Sequence, residues 1–268
     1  MQTITKITAQ KHRGRYNIFL DDHYAFPVSE STLIKFRLAK GLALEPVQVA
    51  AIKNEEVAAV AKATALNYIS HQMRTVHEVR QRLREDEVPE TVITQTTDQL
   101  KALHVLDDGL YADTLVRDNL AMGERGPRQV EQRLRTKGIH ERLAAAAVAQ
   151  VTPAQWAEVA LRVAQKTARR TTRRAFNDQQ NKIRLALMQK GFTTDQTSAA
   201  LASLALDRDD EAEADLLERA AAKQWRLKRK YEGYERTQRV RLALLRKGFQ
   251  NDAIEQVLQR LAQGAIDG

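Results

Sequence analysis

Four segments of this 268-residue chain close a helical apolar pattern in the same way, and any fold must accommodate that recurrence first. Arg82-Leu83-Arg84-Glu85-Asp86-Glu87-Val88 aligns with Arg133-Leu134-Arg135-Thr136-Lys137-Gly138-Ile139. It aligns again with Ala186-Leu187-Met188-Gln189-Lys190-Gly191-Phe192 and with Ala243-Leu244-Leu245-Arg246-Lys247-Gly248-Phe249. The anchors Glu87, Gly138, Gly191 and Gly248 are 51, 53 and 57 residues apart. Eight residues before each anchor stands an apolar residue (Val79, Val130, Ile183, Val240) and four before it a leucine (Leu83, Leu134, Leu187, Leu244), so both occupy one face of a helix. The Lys-Gly ending puts a cation at the negative helix terminus and supplies a residue free to turn left-handed. The apolar residue just after it (Val88, Ile139, Phe192, Phe249) is placed to fold back over the cap. These repeated apolar positions read as packing, not chemistry.

A further helix follows each anchor, ending near Leu103, Val151, Leu204 and Leu261. Another opens each unit, marked by Asp107-Asp108, by Thr152 with Pro153 at the first helical position, and by Asp207 to Glu211. The expected fold is mainly α: four tandem three-helix repeats, 46–106, 107–151, 152–206 and 207–268, forming an elongated curved array. Residues 1–45 differ. Ile4, Ile7 and Ala9, then Tyr16, Ile18 and Leu20, then Tyr24, Phe26 and Val28 give three short runs with the two-residue period of half-buried strands. Asp21-Asp22-His23 predicts a tight reversal and Lys11 to Gly14 a looser one, making a small antiparallel β-rich module. Ser29 then caps a helix carrying Leu33, Ile34 and Leu38, ended by Gly41.

Catalytic constellations are not found. There is no Cys, which removes disulfides, thiolate metal sites and a Cys nucleophile. The six histidines, at 12, 23, 71, 77, 104 and 140, include no pair at the i, i+4 spacing with an intervening Glu that a helical zinc site uses. Gly123-Glu124-Arg125-Gly126-Pro127 lacks the Lys-Ser or Lys-Thr of a phosphate-cradling loop and reads as a turn whose proline starts a helix. The acid pairs Asp107-Asp108 and Asp209-Asp210 stand where helices begin, and read as caps in preference to metal ligands. No enzyme, metal or cofactor is expected. The most apolar stretch, Leu143 to Ala157, is interrupted by Gln150, Thr152, Pro153 and Gln155, so no membrane association and a cytoplasmic location are expected.

The charge distribution is more informative. Lys and Arg number 43 against 34 Asp and Glu, a net charge of +9, which favours an anionic partner. From Val159 to Asn177 there is no acid, while Arg162, Lys166, Arg169, Arg170, Arg173 and Arg174 all occur. On a continuous helix Arg162, Lys166, Arg169 and Arg173 form one stripe beside Trp156, Val159 and Val163. Lys223, Arg226, Lys228, Arg229 and Lys230 make a second cluster at the end of the next repeat's first helix, and Lys6, Lys11, Arg13 and Arg15 a third on the sheet. These are the candidate nucleic-acid contacts. A solvated face or an acidic protein partner is the alternative, since cations at helix ends also stabilise the helix. Aromatic residues are only 5% of the chain, so phosphate contacts and low sequence specificity are expected.

Ile4-Thr5-Lys6-Ile7 with the Tyr16, Tyr24 and Phe26 strands resembles the start of the bacterial RecX regulatory proteins. So do Ala65-Leu66-Asn67-Tyr68-Ile69 with Arg74-Thr75-Val76-His77-Glu78-Val79, Leu106-Asp107-Asp108-Gly109-Leu110-Tyr111-Ala112, and Arg125-Gly126-Pro127-Arg128-Gln129-Val130 through Ile139. The resemblance spans nearly the whole chain. It implies a non-enzymatic modulator of the RecA recombinase that lies along the RecA–DNA filament and damps its ATPase, strand-exchange and co-protease activities in recombination, repair and the SOS response. The implied partners are that filament and single-stranded DNA, with double-stranded DNA as a second form, bound by a monomer. Two departures stand out: Thr75 where the family usually has Ser, which with Glu78 still forms a capping box, and Glu87 where the other repeats have Gly. Glu87 leaves the ending of its helix less defined. The competing readings are a helix-turn-helix transcription regulator, which would need a base-reading recognition helix, and a scaffold whose cations meet acidic proteins.

Overall fold

The computed structural model describes residues 1–11 and 13–264; His12 and the last four residues of the 207–268 segment lie outside them. Four strands, β1 (Gln2–Ala9), β2 (Arg15–Leu20), β3 (His23–Ser29) and β4 (Ala43–Leu44), form an antiparallel sheet in the order β3-β2-β1-β4. The β2–β3 turn has positive φ at both central residues, Asp21 (48°) and Asp22 (65°), the geometry that matches strand twist and that short acidic side chains tolerate. A bulge at Thr5, where Ile4 faces Leu20 but Lys6 already faces Phe19, brings Ile4 and Ile7 to one side despite their odd spacing. Ile4, Ile18, Leu20, Phe26, Val28, Leu38, Leu44 and Ile52 form the core beneath.

Three expectations need correction here. A second bulge, at Ala25, turns Tyr24 away from Phe26 and Val28, so Tyr24 is 58% exposed, its ring edge-on to Phe19 at 5.9 Å. The Ser29-capped helix α1 (Glu30–Lys35) ends before Leu38, because Arg37 takes the left-handed position (φ 50°) and Leu38 N donates back to Leu33 O at 3.0 Å. Gly41 (φ 90°) instead donates to Ile4 O at 2.8 Å and leads into β4, a two-residue strand too short for any periodicity to reveal.

The rest is helical: α2 (Pro46–Ser70), α3 (Val76–Glu85), α4 (Glu90–Ala102), α5 (Asp108–Met122), α6 (Pro127–Thr136), α7 (Glu141–Ala149), α8 (Pro153–Arg170), α9 (Phe176–Gln189), α10 (Thr194–Leu204), α11 (Asp210–Leu227), α12 (Gly233–Leu245) and α13 (Asn251–Ala262). Backbone proximity divides the chain into two compact units, Met1–Thr114 with Leu134–Ala144, and Leu115–Arg133 with Ala145–Gly268. In the first, Ala61, Ala65, Val79, Leu83, Ile93, Leu100 and Leu106 make the core of α2–α4. In the second, Leu217, Ala221, Val240, Leu244, Phe249, Ile254 and Leu258 make that of α11–α13.

All four anchors close their helices identically. Glu87, Gly138, Gly191 and Gly248 have φ of 57°, 79°, 87° and 87°, and the next residue's N–H returns to the carbonyl of the buried leucine at 3.1–3.4 Å. That bond, with a second from the anchor's own N–H, is a Schellman cap. The eight residues at the two inward positions are all 0% exposed. These caps also dock. In the first unit Gly138 lies against His77 at the start of α3, and Thr75 Oγ1 donates to Lys137 O at 2.7 Å. In the second, Gly126 N at the start of α6 donates to Lys190 O at 2.7 Å, and Gly248 lies against the backbone of Asp178 on α9. At the α6 junction, where Arg128 N also donates to Gly191 O at 3.3 Å, free donors of one helix start meet free acceptors of another helix end, with helix dipoles meeting at opposite poles.

Candidate nucleic-acid interface

α8 begins with a capping box on Thr152 and with Pro153 at its first position, and buries Trp156, Val159, Ala160, Val163, Ala164 and Ala168. Arg162, Lys166 and Arg169 run along the helix beside that buried face. Two of these cations are engaged within the protein. Arg162 donates to Leu120 O at 2.8 Å and Ala121 O at 2.7 Å, capping the end of α5. Lys166 is paired with Glu124, which also meets Lys190 at 3.2 Å. These bonds from Lys166 and Lys190 hold the Glu124 carboxyl below the usual carboxylate range.

The stripe is also shorter than expected. α8 stops at Arg170, where Thr171 Oγ1 donates back to Thr167 O at 2.8 Å and Gln179 Nε2 to Ala168 O at 3.1 Å. Arg173 and Arg174 lie in the loop beyond, so Arg173 is not in register with Arg162. Arg174 pairs with Asp178 at 2.7 Å. Arg169, Arg170 and Arg173 are exposed and form no ion pair among the described residues. Arg170, Arg173 and Arg174 instead line an open cavity of about 400 Å³ with Lys247 and Asp178, alongside Ala175, Leu216, Ala220 and Phe249. In the sequence Lys247 is only a cation at a helix end. Its position one residue before an anchor that docks on Asp178 is what delivers it to this cavity.

On the sheet, Arg15 is 3.3 Å from the buried carboxylate of Glu56, which also accepts from Ser29 N at 2.7 Å and Ser29 Oγ at 2.8 Å. Lys6 lies 5.6 Å from the Phe19 ring centroid, and Arg13 and Lys11 are exposed in the turn. In the second cluster, Lys223 and Arg226 are exposed on α11, Lys228 is its C-cap, and Arg229 and Lys230 follow in the turn. The acid pairs act as caps, one of them in an unexpected place. Asp107 receives Gly109 N and Leu110 N at the start of α5, whereas Asp108 receives Val76 N of α3 at 2.9 Å, and burial pushes its carboxyl up. Among the described residues no group of three His, Asp or Glu could hold a metal ion, and no helix is long and apolar enough to cross a membrane.

Fold and surface define a class: tandem three-helix repeats behind a small antiparallel sheet, with cations gathered at the ends of first helices. Family models match in chain order: the regulatory protein RecX N-terminal domain over 2–45, and the first, second and third RecX three-helix domains over 61–100, 107–148 and 211–258. The chain is 48% identical over 263 residues to a regulatory protein RecX of Lacticaseibacillus casei, covering 98% of this chain and all of that one. With its namesake from Levilactobacillus brevis it shares 40% over 265 residues, 99% of this chain and all of that one. A crystal structure of a regulatory protein RecX superposes with TM-score 0.62 at 39% identity, covering 74% of this chain and 98% of that one. Another, of RecX from Lactobacillus salivarius, gives 0.53 at 30%, covering 56% and 97%. The chain belongs to the RecX family of regulatory proteins. Between its second and third matched domains lies a further copy of the anchor, Gly191, with its own three helices α8–α10.

Proposed function

We propose that this protein regulates the RecA recombinase by binding the RecA–DNA filament, with its cations on the DNA phosphates, and that it lowers filament ATPase, strand-exchange and co-protease activity without catalysing a reaction. The observation that carries this reading is full-length membership in a family of regulatory proteins, on a fold whose free cations cluster on successive repeats. Arg169, Arg170, Arg173 and Lys247 form one phosphate-binding group, and Arg226 and Arg229 another; Lys6 and Arg13 add a third on the sheet. Linked weak sites gain from effective concentration once one has bound, which suits a polymeric target. The protein acts in the cytoplasm as a monomer, each three-helix segment (46–106, 107–151, 152–206, 207–268) serving as one module.

The deciding measurement is ATP turnover by RecA on single-stranded DNA, with and without this protein. A dose-dependent fall is expected; unchanged turnover together with no binding to filaments would refute the proposal. Tight preference for one duplex sequence, with indifference to filaments, would point to the transcription-regulator reading instead.

A further inference from the structure

Residues 225–234 gather rings and cations in one short span. The chain holds only 2 Trp and 6 Tyr, yet Trp225, Tyr231 and Tyr234 fall in this one span, around the end of α11 and the start of α12. Each of the first two rings already carries a cation. The Arg236 guanidinium lies 4.1 Å from the Trp225 ring centroid, fixed there by donating to Trp225 O at 2.8 Å. Arg239 lies 4.0 Å and Lys230 5.0 Å from the centroid of Tyr231. Tyr234 has no such cover: it is 79% exposed, with no ring contact or hydrogen bond among the described residues. Leu227, at the end of α11, is 62% exposed nearby in sequence. Gly233 (φ 48°) makes the bend that separates the two tyrosines, with open space around its α-carbon. Arg226 at the end of α11 and Lys228, Arg229 and Lys230 after it stand between Trp225 and Tyr231 in the chain, while Glu232 and Glu235 are near Tyr234 in sequence, Glu235 paired with Arg239 at 2.9 Å.

A single exposed aromatic residue on a protein surface requires no explanation. An uncovered ring that follows four cations in the chain, within ten residues of two rings already stacked on guanidinium groups, does. Phosphates alone would be served by the cations, and a duplex presents no free base faces for a ring to meet. We propose that the Trp225–Tyr234 turn is a stacking site for unpaired nucleobases. In it Tyr234 offers the open ring face, while Arg226, Arg229 and Lys230 hold the adjoining phosphates. The inference rests on the nucleic-acid reading above and deepens it, because it assigns this repeat a preference for single strands that charge alone does not give. Every base has a π-face, so the site is indifferent to sequence.

The test measures binding of the full-length protein to three labelled probes: an oligothymidylate, a strand of equal length lacking its bases, and a duplex. Tyr234→Ala is expected to weaken oligothymidylate binding roughly ten-fold, the size of one lost base–ring stack, with the salt slope unchanged. Binding to the abasic strand and the duplex should not move. Tyr234→Trp should bind oligothymidylate at least as tightly as the parent, whereas Arg226→Ala with Arg229→Ala should weaken all three probes. Equal weakening of every probe by Tyr234→Ala, or none, would overturn the stacking site while leaving phosphate binding standing. Displacement of oligothymidylate by polyglutamate as readily as by unlabelled oligothymidylate would overturn it in favour of an acidic protein partner. A parent protein that binds none of the probes would remove both readings together.

Discussion

At the scale of single residues, the same left-handed cap position is occupied by Glu87 in one repeat and by glycine in three, and the difference follows from what lies above the α-carbon. Glu87 is exposed, so its side chain extends into solvent and the cap forms anyway at the strain of a positive φ. A Cβ on Gly191 would lie 2.7 Å from Gln129 N, and one on Gly126 2.7 Å from the Gly191 carbonyl carbon. Backbone cannot step aside as a side-chain tip can. Glu87→Gly is therefore expected to raise stability by about 0.5–1 kcal/mol by relieving αL strain. Gly191→Ala should lose about 2 kcal/mol or more through strain and clash together. Urea denaturation followed by circular dichroism separates the two, and a Gly191→Ala midpoint equal to the parent's would show that the helix junction is loose. The same scale divides the arginines. Arg162→Ala removes charge-assisted bonds to two terminal carbonyls and should cost about 1.5–3 kcal/mol. Arg173→Ala, exposed and unpaired among the described residues, should leave the midpoint unchanged yet weaken DNA binding. Equal loss of stability in both variants would contradict this division.

Between helices, the contacts that matter are polar and distant in sequence, and this is where sequence reading reached its limit. The caps were legible because their rule is local: an apolar residue at −8, a leucine at −4, a left-handed anchor and an apolar residue at +1 all fall within ten residues. The α8 stripe was not, because Arg162 and Lys166 find their partners 42 residues earlier, at Leu120 and Glu124. Helical periodicity locates a face but carries no information on which cations another element's carbonyls or carboxylates will claim. Likewise the Thr171 hydroxyl that ends α8, and the bulges at Thr5 and Ala25 that reset strand faces, depend on pairing and not on composition. Glu124 provides the pH test of this level. Its folded-state pKa lies below its unfolded value, so the stability it contributes is complete above the unfolded pKa, near 4.5, and is lost as pH falls through the lower folded value. Glu124→Gln should thus be less stable than the parent at pH 6, and the gap should narrow progressively as pH falls below the unfolded value. A gap that does not narrow at all on acidification would mean that the Lys166–Glu124–Lys190 contacts are not what the substitution removes.

For the molecule as a whole, a chain of repeats predicts losses that are stepwise and not catastrophic. The helices α11–α13 enclose their own core, and among the described residues their ties to α9 are few. Ala175 reaches into that core, Phe176 N donates to Glu213 at 3.0 Å, and Gly248 rests on Asp178. Ending the chain after Leu206 therefore exposes the start of α9 but leaves Ile183 and Leu187 within the packing of α8–α10, and the shortened protein should remain helical and unfold cooperatively. It should also bind DNA with a shallower salt dependence. If Arg169, Arg170, Arg173, Lys247, Arg226, Arg229, Lys6 and Arg13 all meet phosphates, the full chain has a log–log slope of roughly −6 to −7, each contact adding about 0.7–0.9. Truncation removes three of the eight, so the slope should fall by roughly a third while inhibition of RecA weakens without vanishing. Titrations of both proteins against one oligonucleotide across a salt series measure this directly. An unchanged slope would place the phosphate contacts elsewhere, and wholesale unfolding of the shortened chain would replace the picture of additive repeats with that of one indivisible core.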